Sequence, residues 1–280
     1  MSTPTSLTLP DGVRRTEIKT GRGPFAALAA LPLHGVCERE TALLVPGYTG
    51  SKEDFLALLD QLAAAGRQVL AIDLRGQYQT PGNGCYSPSA LAADIAAVCA
   101  ETGVHHLLGH SYGGLVTRDA VLDHDVDLLS YTLMSSGPAA LTGPRAADLR
   151  TLLASLANND VATIWASYLE PQAAAAGVPA EIVSFLGERM LGNDPAALVD
   201  MARHLLSAVD RTDELAKLGD LPKLVIYGQN DNAWLPTVQE EMARNLSASR
   251  VCIPGAMHSP NVEAPATTAS ALTTFWDQAE

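Results

Sequence analysis

The chain has 280 residues, of which 47% are hydrophobic and 18% charged, so it can bury a large core and is too apolar to be disordered. Its formal net charge of −13 repels phosphate backbones and anionic membranes, which argues against a nucleic-acid partner. It lacks a run of about 18 apolar residues and a basic N-terminal segment followed by an apolar one, so we expect no membrane insertion, no secretory signal and a cytoplasmic protein.

The first predicted elements are two short strands at 14–20 and 25–35, which indicate an antiparallel pair. Residues 41–47 form a continuous apolar run that ends in Pro-Gly, the pattern of a strand buried on both faces. Residues 51–66 have apolar residues at helical spacing, with Ser51 as the predicted N-cap and a glycine as the stop.

Strands and helices then alternate along the chain. Further buried strands are predicted at 67–76, 105–111 and 128–138, and the helices between them at 87–103 and 112–125. Because each crossover between parallel strands needs a helix, this alternation predicts an α/β fold, with a mostly parallel central sheet flanked by helices.

Residues 139–219 contain no further strand pattern, but four short helical patterns at 145–157, 160–169, 179–191 and 195–209. The strand pattern resumes with strands at 222–228 and 249–255 and helices at 236–247 and 264–279. We therefore predict one core, residues 1–138 and 220–280, into which a helical cap, residues 139–219, is inserted.

The stretch Gly109-His110-Ser111-Tyr112-Gly113 matches G-x-S-x-G between a predicted strand and a predicted helix. A nucleophilic serine on such a sharp turn needs small neighbours, because side chains two residues away would collide with adjacent elements. The alternative is a glycine-bearing helix cap in which the serine has no function.

A serine hydroxyl needs a base and a group that orients the base. Asp231 and His258 each follow a predicted strand and so lie at the same sheet edge as Ser111. Asp231 could instead be an ordinary turn residue. Asp73 is a rival acid, but we expect it to pair with Arg75.

Five motifs together resemble the α/β-hydrolase family: "LLVPGYTGS", "DLRGQYQTPG", "LLGHSYGG", "LVIYGQNDNAWLP" and "GAMHSPNVEAP". They occur in the family's order and cover nearly all of the chain from Thr41 onward. The chain departs from the family at Pro46, where a histidine is frequent, and at Tyr78, which replaces a glycine.

The resemblance implies that Ser111 attacks a carbonyl carbon, that His258 is the general base and acid, and that Asp231 orients the imidazole. It also implies that the backbone N–H groups of Tyr48 and Tyr112 form an oxyanion hole. We expect no metal site and no cofactor, and the four cysteines, which lack C-x-x-C spacing, predict reduced thiols.

Four aromatic residues are candidates for a substrate pocket: Trp165, Tyr168 and Phe185 in the predicted cap, and Trp234 after the acid. Aromatic side chains at such positions are as often simply core. His110, next to Ser111, is expected to pack in the elbow, and His105-His106 to pack in the sheet.

The predicted function is that of a serine hydrolase that cleaves a small-molecule carboxylic ester through an acyl-enzyme, with thioesters and lactones as further substrate classes. An acyltransferase, a cofactor-free perhydrolase or lyase on the same residues, and a non-catalytic small-molecule receptor stay open as alternatives. The sequence leaves the oligomeric state open.

Overall fold

The computed structural model describes residues 2–280. Within them, eight strands form one sheet in the order β1-β2-β4-β3-β5-β6-β7-β8. The strands are β1 (Val13–Thr20), β2 (Gly23–Ala30), β3 (Arg39–Val45), β4 (Arg67–Ile72), β5 (His106–His110), β6 (Ser130–Met134), β7 (Lys223–Gly228) and β8 (Ser249–Ile253).

The sheet is antiparallel at one side and parallel elsewhere. β1 pairs antiparallel with β2, and β2 antiparallel with β4. All other neighbours, from β4 to β8, are parallel. The predicted mostly parallel α/β sheet is therefore confirmed.

The second strand is shorter than the sequence predicts. It ends at Ala30 rather than at residue 35, because the chain turns at Pro32, whose carbonyl accepts a hydrogen bond from the Gly35 N–H at 2.8 Å. Gly35 has a φ of +72°, which suits glycine.

Helices cover both faces of the sheet. The α-helices of residues 2–280 are α1 (Leu56–Ala64), α2 (Pro88–Thr102), α3 (Tyr112–Asp123), α4 (Gly143–Leu156), α5 (Val161–Ile164), α6 (Glu170–Ala175), α7 (Ala180–Leu191), α8 (Pro195–Ser207), α9 (Thr212–Ala216), α10 (Pro236–Asn245), α11 (Pro260–Glu263) and α12 (Pro265–Ala279). A 3₁₀ turn at Lys52–Phe55 precedes α1. Ser51 lies at its N-cap, but among residues 2–280 the Ser51 hydroxyl has no hydrogen-bond partner.

Strand periodicity explains why both faces are apolar. Leu43 and Leu107 belong to the cluster that contains side chains of α2 and α3. Their neighbours Leu44 and Leu108 belong to the cluster on the other face, with side chains of α1 and α12. Because successive side chains in a strand point to opposite faces, a continuous apolar run fits a sheet covered on both sides.

Residues 139–219, here called the cap segment, contain helices and loops and no strand, as the structure describes them. The predicted helix at 160–169 is divided into α5 and a π-helical turn, Trp165–Leu169, and α6 follows directly. Helix α9 was not predicted. The boundaries 1–138, 139–219 and 220–280 stay a prediction for the division into core and cap.

Across the described range 2–280, no helix combines the length and apolar character that crossing a membrane requires.

Candidate active site

Ser111 lies on the tight turn between β5 and α3. Its backbone has φ +55° and ψ −120°, a conformation that L-residues rarely adopt and that functional turns retain. A Cβ on Gly113 would lie 2.5 Å from the carbonyl oxygens of Val45 and Pro46, and one on Gly109 would lie 2.5 Å from the Gly113 carbonyl oxygen. The two glycines of the motif are therefore required by the close approach of neighbouring backbone.

The structure brings the three predicted triad residues together. The His258 Nε2 atom lies 2.9 Å from the Ser111 Oγ atom. The His258 Nδ1 atom lies 2.9 Å from Oδ1 of Asp231. With a proton on Nδ1, Nε2 is free to accept the proton of the serine hydroxyl.

The Asp231 carboxylate is 2% exposed and has three donors. Besides His258, Oδ1 accepts a hydrogen bond from the Ala233 N–H at 2.9 Å, and Oδ2 accepts one from Nε2 of Gln239 at 2.9 Å. Gln239 lies on α10 and is fully buried. Sequence reasoning missed it, because a lone glutamine eight residues after the acid has no recognisable pattern.

The loop that carries His258 is held by a second carboxylate. Glu263, the glutamate of the Glu-x-Pro stretch, accepts hydrogen bonds from the backbone N–H groups of Met257 and Ser259. These two residues flank His258 on either side. The family resemblance included this glutamate as a motif residue, but it did not indicate the contacts.

His110 packs directly behind the histidine of the triad. Its Nε2–H donates to the backbone carbonyl of His258 at 2.9 Å, and the two ring centroids are 5.3 Å apart. Burial lowers the pKa of His110 to about 3, so the ring stays neutral and adds no positive charge beside His258. This agrees with the prediction that His110 packs in the elbow.

The two predicted oxyanion donors are free to bind a ligand. Among residues 2–280, neither the Tyr48 nor the Tyr112 backbone N–H has a hydrogen-bond acceptor. Gly47 lies against the predicted nucleophile, since a Cβ built on it would be 3.0 Å from Cβ and 3.4 Å from Oγ of Ser111. The turn that carries the Tyr48 amide is thus adjacent to the serine.

A cavity of about 770 Å³ opens onto the triad. Ser111, His258 and Tyr48 contribute to its wall, and the cap segment contributes Tyr168. Further apolar lining side chains of the cap segment are Leu141, Leu149, Leu152, Ile164, Leu169, Met190 and Leu205. Among the residues described, no group of three His, Cys, Asp or Glu side chains could hold a metal ion.

Three of the four predicted pocket aromatics lie outside this wall. Trp165 and Phe185 are buried in a cluster of the cap segment. Trp234 packs against Gly137 and donates from Nε1 to the Ala139 carbonyl at 3.0 Å. Of the four predicted residues, the structure therefore brings Tyr168 alone to the cavity. The others fill apolar volume, which their position in sequence could not distinguish from a pocket.

Comparison with known proteins identifies the family of the chain. A family model described as the alpha/beta hydrolase family matches residues 42–271. The chain belongs to the alpha/beta hydrolase family.

Curated relatives match different shares of the chain. The chain is 32% identical over 108 residues to a putative carbamate hydrolase, RutD, from Variovorax paradoxus. This match covers 37% of this chain and 41% of that protein, so the chain spans less than half the length of that relative. The chain is 29% identical over 219 residues to a pimeloyl-[acyl-carrier protein] methyl ester esterase from Aeromonas hydrophila, over 72% of this chain and 82% of that protein.

A solved structure extends the likeness to the whole fold. A thermophilic esterase from Thermogutta terrifontis superposes with a TM-score of 0.73 at 24% identity. The match covers 95% of this chain and 99% of that one. At this identity the comparison supports the fold.

One contact of this alpha/beta hydrolase differs from the sequence expectations, and one residue that departs from the family pattern has an unusual backbone. Asp73 does not pair with Arg75. Its carboxylate lies 2.8 Å from the buried ammonium of Lys52, while Arg75 bonds to Asp94 at 2.6 Å. Burial raises the pKa of Asp73 to about 6 even though Lys52 opposes the shift. Tyr78 has a φ of +43°, the left-handed backbone that a glycine would adopt without strain.

Proposed function

We propose that this protein is a serine hydrolase that cleaves a carboxylic ester through an acyl-enzyme intermediate. One observation carries the proposal: the His258 imidazole lies 2.9 Å from the Ser111 hydroxyl on one side and 2.9 Å from the Asp231 carboxylate on the other. This is the arrangement in which a histidine can activate a serine nucleophile.

In the acylation step, Ser111 Oγ attacks the ester carbonyl carbon while His258 Nε2 accepts the hydroxyl proton. Asp231 stabilises the resulting imidazolium, and the free amides of Tyr48 and Tyr112 stabilise the negative oxygen of the tetrahedral intermediate. Collapse of the intermediate breaks the bond to the alcohol oxygen, which takes the proton from His258. The acyl group stays on Ser111.

In the deacylation step, His258 accepts a proton from a water molecule that attacks the acyl carbon. The second tetrahedral intermediate collapses, the proton returns to Ser111 Oγ, and the carboxylic acid leaves. No cofactor takes part in this scheme. A thioester or a lactone reacts by the same steps, with a thiol or the ring's own hydroxyl as the leaving group.

The esterase named among the relatives supports ester cleavage, and the cavity of about 770 Å³ is large enough for a small-molecule substrate. The apolar side chains that the cap segment adds to its wall suit an acyl chain or an apolar alcohol.

Covalent labelling tests the proposal. A fluorophosphonate probe is expected to label the wild-type protein at Ser111 and to leave Ser111→Ala unlabelled. The rate at which Ser111→Ala hydrolyses p-nitrophenyl esters is expected to fall by about 10³-fold or more. Circular dichroism of the variant controls for folding. Undiminished labelling of Ser111→Ala would contradict the assignment, and an unlabelled wild type would favour a non-catalytic receptor.

A panel of acyl chain lengths, thioesters and lactones then identifies the bond cleaved. Product analysis with an added alcohol or with hydrogen peroxide distinguishes hydrolysis from acyl transfer and perhydrolysis. An ester hydrolase is expected to release the free acid as its main product in the presence of either acceptor.

A further inference from the structure

The side chains of Tyr48 and Tyr112 both end on one helix of the cap segment, α8. Tyr48 donates its hydroxyl to the backbone carbonyl of Leu198 at 3.0 Å. The Tyr112 hydroxyl lies 3.3 Å from Nδ1 of His204, and the two rings meet edge to face with centroids 5.6 Å apart. These are the two residues whose backbone amides would hold the oxyanion.

The Tyr112 contact is buried, since Tyr112 is fully buried and His204 is 8% exposed. Tyr48 is partly buried, and the carbonyl that it binds belongs to the fully buried Leu198. Because a buried hydroxyl without a partner is unfavourable, Tyr112 depends on α8 to satisfy its hydroxyl. The two contact points are six residues apart along the helix, or about 9 Å along its axis. Two contact points this far apart fix the direction of α8 relative to the turn that carries Tyr48 and the turn that carries Ser111 and Tyr112.

A buried glutamine adds a third connection between α8 and the same turn. Gln77 donates from Nε2 to the Gly47 carbonyl at 3.2 Å, and the same nitrogen lies 3.6 Å from the sulfur of Met201 on α8. The peptide unit that joins Gly47 to Tyr48 contains both this carbonyl and the Tyr48 amide. The side-chain contact with Gln77 therefore constrains the plane in which that amide lies.

We propose that helix α8 is a structural brace of the oxyanion hole and that the Tyr48 and Tyr112 side chains are positioning residues for it. The inference rests on the proposed function. Stabilisation of an oxyanion requires donors about 2.7 to 3.1 Å from the oxygen, so a shift of a few tenths of an ångström in either backbone weakens it. The cap segment would then contribute to the rate as well as to the choice of substrate.

The brace also connects the cavity to the reaction centre. Leu205, which follows His204 on α8, lines the cavity. A substrate that contacts Leu205 therefore contacts the helix that holds both tyrosines. A substrate group that fits this wall would stabilise α8 in the position that the oxyanion hole requires.

The test removes the two hydroxyls and keeps the rings. Tyr48→Phe and Tyr112→Phe are each expected to lower kcat for p-nitrophenyl acetate about three- to tenfold, with KM within about twofold of the wild type. The affinity for phenylboronic acid, whose tetrahedral adduct on Ser111 occupies the oxyanion hole, is expected to fall by the same factor as kcat. If a substitution merely destabilised the fold, the melting temperature would fall, but kcat and the affinity for phenylboronic acid would not fall by the same factor.

Two further variants serve as a control and as a rescue. Tyr227 on β7 donates its hydroxyl to Glu240 Oε1 on α10 at 3.2 Å. Tyr227→Phe therefore removes a tyrosine hydroxyl from a contact that involves neither α8 nor an oxyanion residue, and its kcat is expected to stay within about twofold. His204→Gln keeps an acceptor for Tyr112 and is expected to retain more activity than His204→Leu.

Equal kcat and boronate affinity in wild type, Tyr48→Phe and Tyr112→Phe would overturn the inference. So would an equal loss in Tyr227→Phe, since it would show that losing a tyrosine hydroxyl away from α8 lowers kcat as much. Should either tyrosine variant fail to fold, the His204 pair gives the same comparison from the helix side. A wild type that neither hydrolyses esters nor is labelled at Ser111 would overturn the proposed function, and this inference with it.

Discussion

The carboxyl edge of the sheet and the cap segment contribute to the same cavity in different ways. At the sheet edge, Ser111 and Asp231 follow β5 and β7, which are buried along their whole length. In the cap segment, α4 buries two of its fourteen residues and α6 buries none. The side chains proposed to react therefore follow strands with many packed neighbours, while much of the cavity wall comes from partly exposed helices.

The two regions also differ in what surrounds their unusual backbone conformations. The strained conformation of Ser111 is retained because the glycines at 109 and 113 let adjacent backbone pack around it. The π-helical turn at Trp165–Leu169 is buried at Trp165 alone. Substitutions at the sheet edge should therefore change kcat or stability, and those on the cap surface should mainly change KM.

The largest expected effect is at the acid. Asp231→Asn would favour the wrong tautomer of His258, so kcat for a p-nitrophenyl ester is expected to fall by about 10³- to 10⁴-fold with little change in KM. Asp73→Asn is the matched control, because this rival carboxylate pairs with Lys52 and makes no contact with the triad. A large loss of kcat in Asp73→Asn and none in Asp231→Asn would reverse the assignment of the acid.

The next effect is on stability and concerns a buried ion pair between the cap segment and the 3₁₀ turn at Lys52–Phe55. Arg189 on α7 lies 2.6 Å from Asp54, and both side chains are buried. Arg189→Met leaves that carboxylate buried without its cation, so the free energy of unfolding is expected to fall by about 3–5 kcal/mol, as measured by urea titration.

A pair on the surface of the cap segment provides the contrast. Arg203 lies 3.4 Å from Asp200 in an exposed pair on α8. Arg203→Met is expected to change the free energy of unfolding by about 0.5 kcal/mol or less. Equal losses of unfolding free energy in Arg189→Met and Arg203→Met would contradict the view that burial determines how much an ion pair contributes to stability.

A pH-dependent effect on stability is expected from the titration of His110. Burial lowers the pKa of His110 to about 3 in the folded protein, whereas an unfolded histidine titrates near 6.5. Between these pH values the unfolded chain binds a proton that the folded protein does not, so His110 makes the protein less stable as the pH falls from about 6.5 to 3.

His110→Gln removes this titration and keeps an N–H donor. The free energy of unfolding, measured by denaturant titration from pH 6.5 to 4, is therefore expected to fall less steeply in the variant, by about 1.4 kcal/mol per pH unit. Parallel curves for wild type and variant would contradict the buried, neutral state of the ring.

The smallest effect on catalysis is expected at the cavity wall in the cap segment. Tyr168 is 56% exposed and lines the cavity. Tyr168→Ala is expected to raise KM about two- to fivefold, with kcat within twofold, because it removes contact area and leaves the triad intact. Val209→Ala, an exposed apolar residue of the same segment outside the cavity wall, is expected to leave both constants unchanged.

Much of the fold could be predicted, because its signals are local. Continuous apolar runs indicated strands buried on both faces, and the alternation with helices indicated parallel pairing. The irregular helices of the cap segment were predicted less well. The π-helical turn and α9 depend on packing against other helices, which a periodic pattern within ten residues does not encode.

The sequence by itself determined the elbow, the strand ends and the three residues that the structure brings together, because glycine spacing and strand length act over a few residues. Only the tertiary structure decided that Gln239 bonds to Asp231, that Lys52 replaces Arg75 as the partner of Asp73, and that α8 holds two tyrosines. These contacts join residues that can be far apart in the chain, and each depends on which buried polar group finds the nearest partner once the helices have packed.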